Sequence, residues 1–393
     1  MGSLSLAIRK LRTLFNWVVA SLLVLAGIEA GYAAFRYAFH LKDRSVANRI
    51  IDFSVYRDKP WAKAMFMEQN AVKMEYEQYV GWRSSPFSGT YVNVDSDGNR
   101  RTIAPSCDSQ DSVFVMGGSS VWGVCVRDDH TIPSLLAQRL CREGLHFAVV
   151  NYGEKGYTFA QNLLHLVLLL RAGHRPSHVL FLDGANDIAA AHHAGRAGVN
   201  GLTDELSGLL KFRQSSHLNQ MMSIVGDWYE HSSVIGKMLR WLASIVTGRQ
   251  ATDPGLKGYT EQELAALTQG IEKNYLVSYH DLAGLSEAYG FIWHCFLQPL
   301  VFTKHHQTPE ELRADHVSNS EFRYLSINTY AALARDSLKN WTDLSSALDG
   351  STATRFLDFC HVSEEANEII SARICDIPFG QTPARTKTQL PGR

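Results

Sequence analysis

One apolar run ends in Gly117-Gly118-Ser119-Ser120-Val121-Trp122-Gly123, and far downstream the chain reads Asp358-Phe359-Cys360-His361. A serine on the sharp turn that leaves a strand exposes its hydroxyl and sets its own backbone N–H at a helix start, where it can face a developing oxyanion. An aspartate and a histidine three residues apart on one turn can orient each other and leave the imidazole free to take the serine proton. Two further segments carry compatible chemistry. Asn151-Tyr152-Gly153-Glu154-Lys155-Gly156 has glycines that let backbone N–H groups approach a ligand. In Asp183-Gly184-Ala185-Asn186-Asp187 an asparagine side chain can donate to an oxyanion. Each segment alone has a dull reading: a tight turn, a helix cap, a surface histidine. Their occurrence in this order, each at the exit of an expected strand, supports one hydrolytic site.

Those exits depend on a scaffold that begins near Asp111, where short apolar runs alternate with helical segments. That pattern predicts an α/β domain with a parallel sheet covered on both faces. The expected strands are Ser112 to Met116, Ala148 to Asn151, His178 to Leu182, Phe291 to Leu297 and Phe356 to Asp358. Helices are expected over Thr131 to Glu143, Phe159 to Ala172 and Glu261 to Tyr289, the last opened by the capping box Thr260-Glu261-Gln262-Glu263. Thr308-Pro309-Glu310-Glu311 opens another, with proline at its first position. In such sheets sites gather at the carboxyl ends of the strands. Residues from about 190 to 258 read as an insertion, with a helical stretch from Leu218 to Val246 rich in Met, Trp and Leu that suits core or a lid. The tail over 377–393 is expected to be disordered.

Upstream, residues 37–110 read as a membrane-proximal region with a helix over Trp61 to Gln78. A hairpin follows, with strands Gly89 to Val94 and Arg100 to Ile103 joined around Asp97-Gly98. The Asp95, Asp97, Asn99 alternation is turn chemistry and not a calcium loop, because the glycine comes one place early and no closing glutamate follows.

The N-terminal tail, 1–13, holds Arg9, Lys10 and Arg12 ahead of a mostly apolar stretch that suits one membrane crossing over 14–36. Glu29 lies near its far end, where a carboxylate can reach the interface. A cleavable signal peptide and a buried helix of a soluble protein pass similar tests. Arg36, Lys42, Arg44 and Arg49 follow the span closely, so charge counting does not orient it. The short tail favours a cytoplasmic N-terminus and an extracytoplasmic body, periplasmic or extracellular. The 393 residues carry a formal net charge of −1, which gives no support to nucleic-acid binding. The six cysteines lack metal-site spacing; one or two disulfides suit an extracytoplasmic body, and buried free thiols suit most of them equally.

Taken together, the four blocks resemble those of the SGNH/GDSL hydrolase superfamily, in family order. The resemblance covers about residues 111 to 376 and departs from Gly-Asp-Ser-Leu at Gly118, where aspartate is usual. It implies a flavodoxin-like α/β/α fold with a five-stranded parallel sheet and a Ser119, Asp358, His361 triad. Oxyanion donors would be the Ser119 and Gly156 N–H groups, with Gly156 preferred over Gly153, and the Asn186 amide. No metal or organic cofactor is implied. The expected activity is hydrolysis of O-acyl, chiefly acetyl, esters on cell-envelope or exported carbohydrate, with the bilayer contacted through the N-terminal helix. An O-acetyltransferase, a lipase or lysophospholipase, and a non-enzymatic envelope assembly protein are the alternatives.

Overall fold

The computed structural model describes residues 12–13, 15–17, 19–21, 23–32, 50–104, 109, 111–216, 257–316 and 319–379. The expected helix over Leu218 to Val246 and the residues beyond 379 lie outside the described residues. The chain divides into two compact units, one of Met1–Val46 with Glu205–Gly255 and one of Ala47–Asp204 with Leu256–Arg393. In the first unit, the segment Phe15–Tyr32 is helical, with a mean hydropathy of 1.4, long and apolar enough to cross a membrane.

Among the described residues the second unit has nine strands. Four short ones come first: β1 (Met74–Glu77), β2 (Gly81–Ser84), β3 (Phe87–Ser88) and β4 (Asn93–Val94). The main sheet holds β5 (Ser112–Gly117), β6 (Ala148–Asn151), β7 (His178–Asp183), β8 (Ile292–Leu297) and β9 (Trp341–Asp343). Its order is β6-β5-β7-β8-β9 and every pairing is parallel. Val113 to Met116 and Val179 to Leu182 are buried throughout, as central strands with helices on both faces require. Crossovers leave β5 in opposite directions, toward β6 on one side and, by way of β6, toward β7 on the other. Right-handed connections then put helix Ile132–Arg142 on one face, where Glu364–Asp376 packs beside it. Helices Phe159–Arg171, Ala185–Ala194, Glu261–Tyr289 and Ser320–Leu333 pack on one another across the other face. The crevice at this reversal opens at the carboxyl ends of β5 and β7.

Three expectations are corrected. The fifth strand is Trp341–Asp343, which pairs with Cys295 to Leu297, and not Phe356 to Asp358. Phe356 bridges Val362 a few residues on, so this stretch folds back on itself; its apolar character reflects a buried Phe356 and not a place in the sheet. The first helix spans only Ala62–Ala71, because Met74–Glu77 pairs with Gly81–Ser84 as a hairpin. Asn93–Val94 pairs with Phe87–Ser88, and Arg100 reaches Val94 only as an isolated bridge. The Asp95 carboxylate accepts the Asp97 and Asn99 amides at 2.9 and 2.8 Å, the turn chemistry expected there. At the end of the described residues the chain is still packed. Phe379 is buried against the rings of Phe147 and His178. Cys141 is disulfide-bonded, whereas Cys125, Cys295, Cys360 and Cys375 are buried free thiols.

Candidate active site

Strand β5 delivers the chain to Gly118, the N-cap of a one-turn helix Ser119–Trp122, with Ser119 itself as the first helical residue. The carbonyl of Gly118 accepts the Val121 and Trp122 amides at 3.1 and 3.0 Å, which leaves Ser119 at the turn's leading edge. The loop that follows is clamped by side chains from residues 50–104. Arg100, with no exposed side-chain surface, donates from Nε to Asp128 at 2.9 Å and from its other nitrogens to the carbonyls of Trp122, Gly123 and Val126. Gln69 donates to the Gly123 and Val126 carbonyls and accepts the Cys125 amide, and Tyr56 donates to the Cys125 carbonyl. Burial lowers the Arg100 pKa, but a guanidinium paired with Asp128 remains charged. Sequence reasoning missed this clamp. Neither Gln69 nor Arg100 belongs to a motif, and only tertiary folding brings them to the loop after Ser119.

At the other end of the sheet, the segment after β9 brings Asp358 and His361 to Ser119. His361 Nε2 lies 2.7 Å from Ser119 Oγ, and His361 Nδ1 lies 2.6 Å from Asp358 Oδ2. The second Asp358 oxygen accepts the backbone amides of Cys360 at 3.0 Å and His361 at 2.7 Å. Burial by itself pushes the Asp358 pKa up. The attraction of His361 and these hydrogen bonds outweigh it, so Asp358 sits below the ordinary value. For His361 burial pushes down, but the charge of Asp358 and the bond to it prevail, and the imidazole titrates above 6.5. Ser363 caps the following helix, its Oγ accepting the Ala366 amide. Asp358, Cys360 and His361 offer donor atoms within 4.8 Å of one another. The two nitrogens of His361 are, however, committed to Asp358 and Ser119.

The two middle blocks flank the serine. The Gly153 amide donates to Asn151 Oδ1 at 3.0 Å and is therefore occupied. Among the described residues, the amides of Ser119 and Gly156 have no intrachain acceptor, and Gly156 has φ +79, a conformation that suits glycine. Hairpin β1–β2 holds this block. Trp82 Nε1 donates to the Lys155 carbonyl at 2.8 Å, Ser84 donates twice to the buried Glu154 carboxylate, and the Tyr157 hydroxyl donates to the Trp82 carbonyl. Asn186 Nδ2 donates to the Tyr157 carbonyl at 2.8 Å, leaving its second N–H available. Helix Ala185–Ala194 has Gly184 as its N-cap, so Asn186 lies inside the helix and does not cap it. A Cβ on residue 118 would come within 2.2 Å of Asn186 Nδ2. Asn186 thus packs closely enough against Gly118 that a side chain at 118 would require it to move.

The fold is a parallel α/β sheet of the 2-1-3-4-5 order, and its carboxyl edge holds a serine, a histidine and an aspartate hydrogen-bonded in series. That arrangement can deprotonate a serine as it attacks a carbonyl and return the proton to a leaving group. No family model matches the chain, and no curated protein matches it. Solved structures similar to it include a carbohydrate acetylesterase family member from Sinorhizobium meliloti, with 13% identity over 69% of this chain and 100% of that chain and a TM-score of 0.35. Another is a member of the lipolytic protein G-D-S-L family from Veillonella parvula, with 11% identity, 69% and 99% coverage and a TM-score of 0.36. A third is the acetyl xylan esterase AlAXEase, with 12% identity, 67% and 97% coverage and a TM-score of 0.36.

Proposed function

We propose that the protein is a serine ester hydrolase of the SGNH/GDSL type, acting on O-acetyl or similar short acyl esters of cell-envelope or exported carbohydrate. The observation that carries this reading is the unbroken series Ser119, His361, Asp358, with both links shorter than 2.8 Å. His361 Nε2 takes the Ser119 proton as Oγ bonds to the ester carbonyl carbon. The negative charge moves to the carbonyl oxygen, where the Ser119 and Gly156 N–H groups and the free Asn186 N–H are the assigned donors. Collapse expels the alkoxide with the proton from His361 and leaves Ser119 acylated. Water, deprotonated by His361, then releases the acid and restores the serine.

The substrate class is supported by the family resemblance together with the apolar N-terminal helix, and the disulfide-bonded Cys141 fits an oxidising compartment. A periplasm-active reporter fused after Arg393 is expected to be active and a cytoplasm-only reporter silent; the reverse would remove the envelope substrate. For the chemistry, a fluorophosphonate should label wild-type protein at Ser119. Ser119→Ala should remain folded and lose about 10^4- to 10^6-fold in turnover of a short-chain ester. Activity within tenfold of wild type would reject the nucleophile, and Ser120→Ala should be mild. Comparing acetyl release with and without an acceptor glycan separates hydrolysis from transfer.

A further inference from the structure

Helix Pro309–His316 opens with a capping box in which the Glu311 amide donates to Thr308 Oγ1 at 3.3 Å and the Thr308 amide donates to Glu311 Oε2 at 2.8 Å. A capping carboxylate ordinarily faces water. The Glu311 side chain is instead 0% exposed and has a second set of partners. Its Oε1 accepts the backbone amides of Arg355 at 2.8 Å and Phe356 at 3.1 Å. Lys304 Nζ, on a side chain 1% exposed, donates to both carboxylate oxygens at 2.8 Å and to the Ala353 carbonyl at 3.2 Å. Burial pushes the Glu311 pKa up, yet Lys304 and the amides bring it below its ordinary value, so the group is an anion inside the protein.

Arg355 and Phe356 form one leg of the loop that carries Asp358 and His361. Phe356 bridges Val362, the Ser363 amide donates to the Arg355 carbonyl at 2.8 Å, and the Leu357 amide donates to the His361 carbonyl at 2.9 Å. The loop is therefore closed at its base, and one side of that base is tied to a single carboxylate. A buried ion pair is a poor device for stability alone, since desolvation offsets most of its attraction. What an ionised carboxylate does that an apolar pair cannot is accept two adjacent amides at once and fix their position.

We propose that Glu311, paired with Lys304, is a positioning residue for the acyl-transfer centre: it sets where the Asp358–His361 loop stands relative to Ser119. The proposal rests on the reading of Ser119 as the nucleophile, and its test separates the two. Full-length wild-type protein is first labelled with a fluorophosphonate; failure to label Ser119 would sink the acyl-transfer reading itself. With wild type labelled, Glu311→Gln is compared at a temperature well below its own melting point. A displacement of the order of 1 Å costs about 100-fold in such sites, so the expected loss is roughly 10- to 100-fold in kcat and in labelling rate, with KM little changed. The pH at which the labelling rate is half-maximal should also move down, because a loosened Asp358 no longer raises the imidazole pKa as far. A folded Glu311→Gln with wild-type kcat and pH profile, and only a lowered melting temperature, would overturn the proposal. If Glu311→Gln does not fold, the double variant Lys304→Met with Glu311→Gln removes both buried charges together. Recovery of folding without recovery of kcat supports positioning. Recovery of both, or a double variant that also fails to fold, makes the pair a folding element and overturns it.

Discussion

Two carboxyl environments at the carboxyl edge of the sheet titrate in opposite directions, although Asp358 and Asp187 are both half-buried. Asp358, on the loop after β9, lies beside His361 and accepts two amides, and its pKa falls. Asp183 and Asp187 lie at the exit of β7, and the Asp187 charge adds to the burial that raises Asp183. Asp183 accepts Asn162 Nδ2 at 2.8 Å, and its second oxygen, fully buried, has no partner. Asp187 accepts only the Phe159 amide from outside its own helix start, at 3.2 Å. Burial pushes Asp183 well above its ordinary value and Asp187 to about 7. Depth alone thus does not set the direction of the shift. The partner does: an imidazole that can become cationic favours the anion at Asp358, whereas burial without such a partner raises Asp183 and Asp187.

The comparison breaks first at the paired aspartates. Asp358→Asn keeps the shape but offers His361 Nδ1 an amide, and kcat should fall by about 10^4-fold as in other triads with the wrong tautomer. Asp183→Asn, an isostere whose side-chain oxygen still accepts Asn162 Nδ2, should leave kcat close to wild type in a short-chain ester assay. Equal losses in the two variants would mean that depth, and not the histidine, governs this edge. Asn186 tests the next link. Asn186→Ala should lower kcat by about 10^2- to 10^3-fold with KM little changed, and Asn186→Asp should do no better, since it sets a negative acceptor against developing negative charge. An Asp variant with near-normal kcat would remove the donor role.

The smallest effect belongs to Asp187 and is read in stability. Its folded pKa of about 7 lies above the ordinary 3.8, so between those values the folded state holds a proton that the unfolded state has lost. Stability from this group therefore declines as pH rises from roughly 4 to 7. Asp187→Asn removes that share while its side-chain oxygen still accepts the Phe159 amide. Chemical denaturation across this range should show the variant gaining on wild type as pH rises. A constant difference would contradict the raised pKa.

Much of this edge is legible in the sequence because its residues sit at element boundaries, where local rules act. Gly118-Ser119 follows a mostly apolar strand, Thr260 and Glu263 form the capping box their spacing predicts, and Asp358 and His361 are close enough in sequence to meet on one turn. The fifth strand is not legible in the sequence, for a physical reason. Trp341-Thr342-Asp343 is only half-buried at the sheet edge and carries no apolar run, whereas Phe356 is apolar because it fills the core. The clamp of Gln69 and Arg100, and the second use of Glu311, depend on contacts between distant segments. A capping box announces Glu311's bond to Thr308 but says nothing of Arg355 and Phe356.

The most direct test is the rate at which a fluorophosphonate labels the full-length protein as a function of pH, with the labelled residue identified by mass spectrometry. The account predicts a single label on Ser119. It also predicts a rate that rises as His361 loses its proton, through a pKa above the 6.5 of an ordinary imidazole, and a large fall in that rate in Asp358→Asn. A label on another residue, or Ser119 labelling that is indifferent both to pH across neutrality and to Asp358, would contradict it.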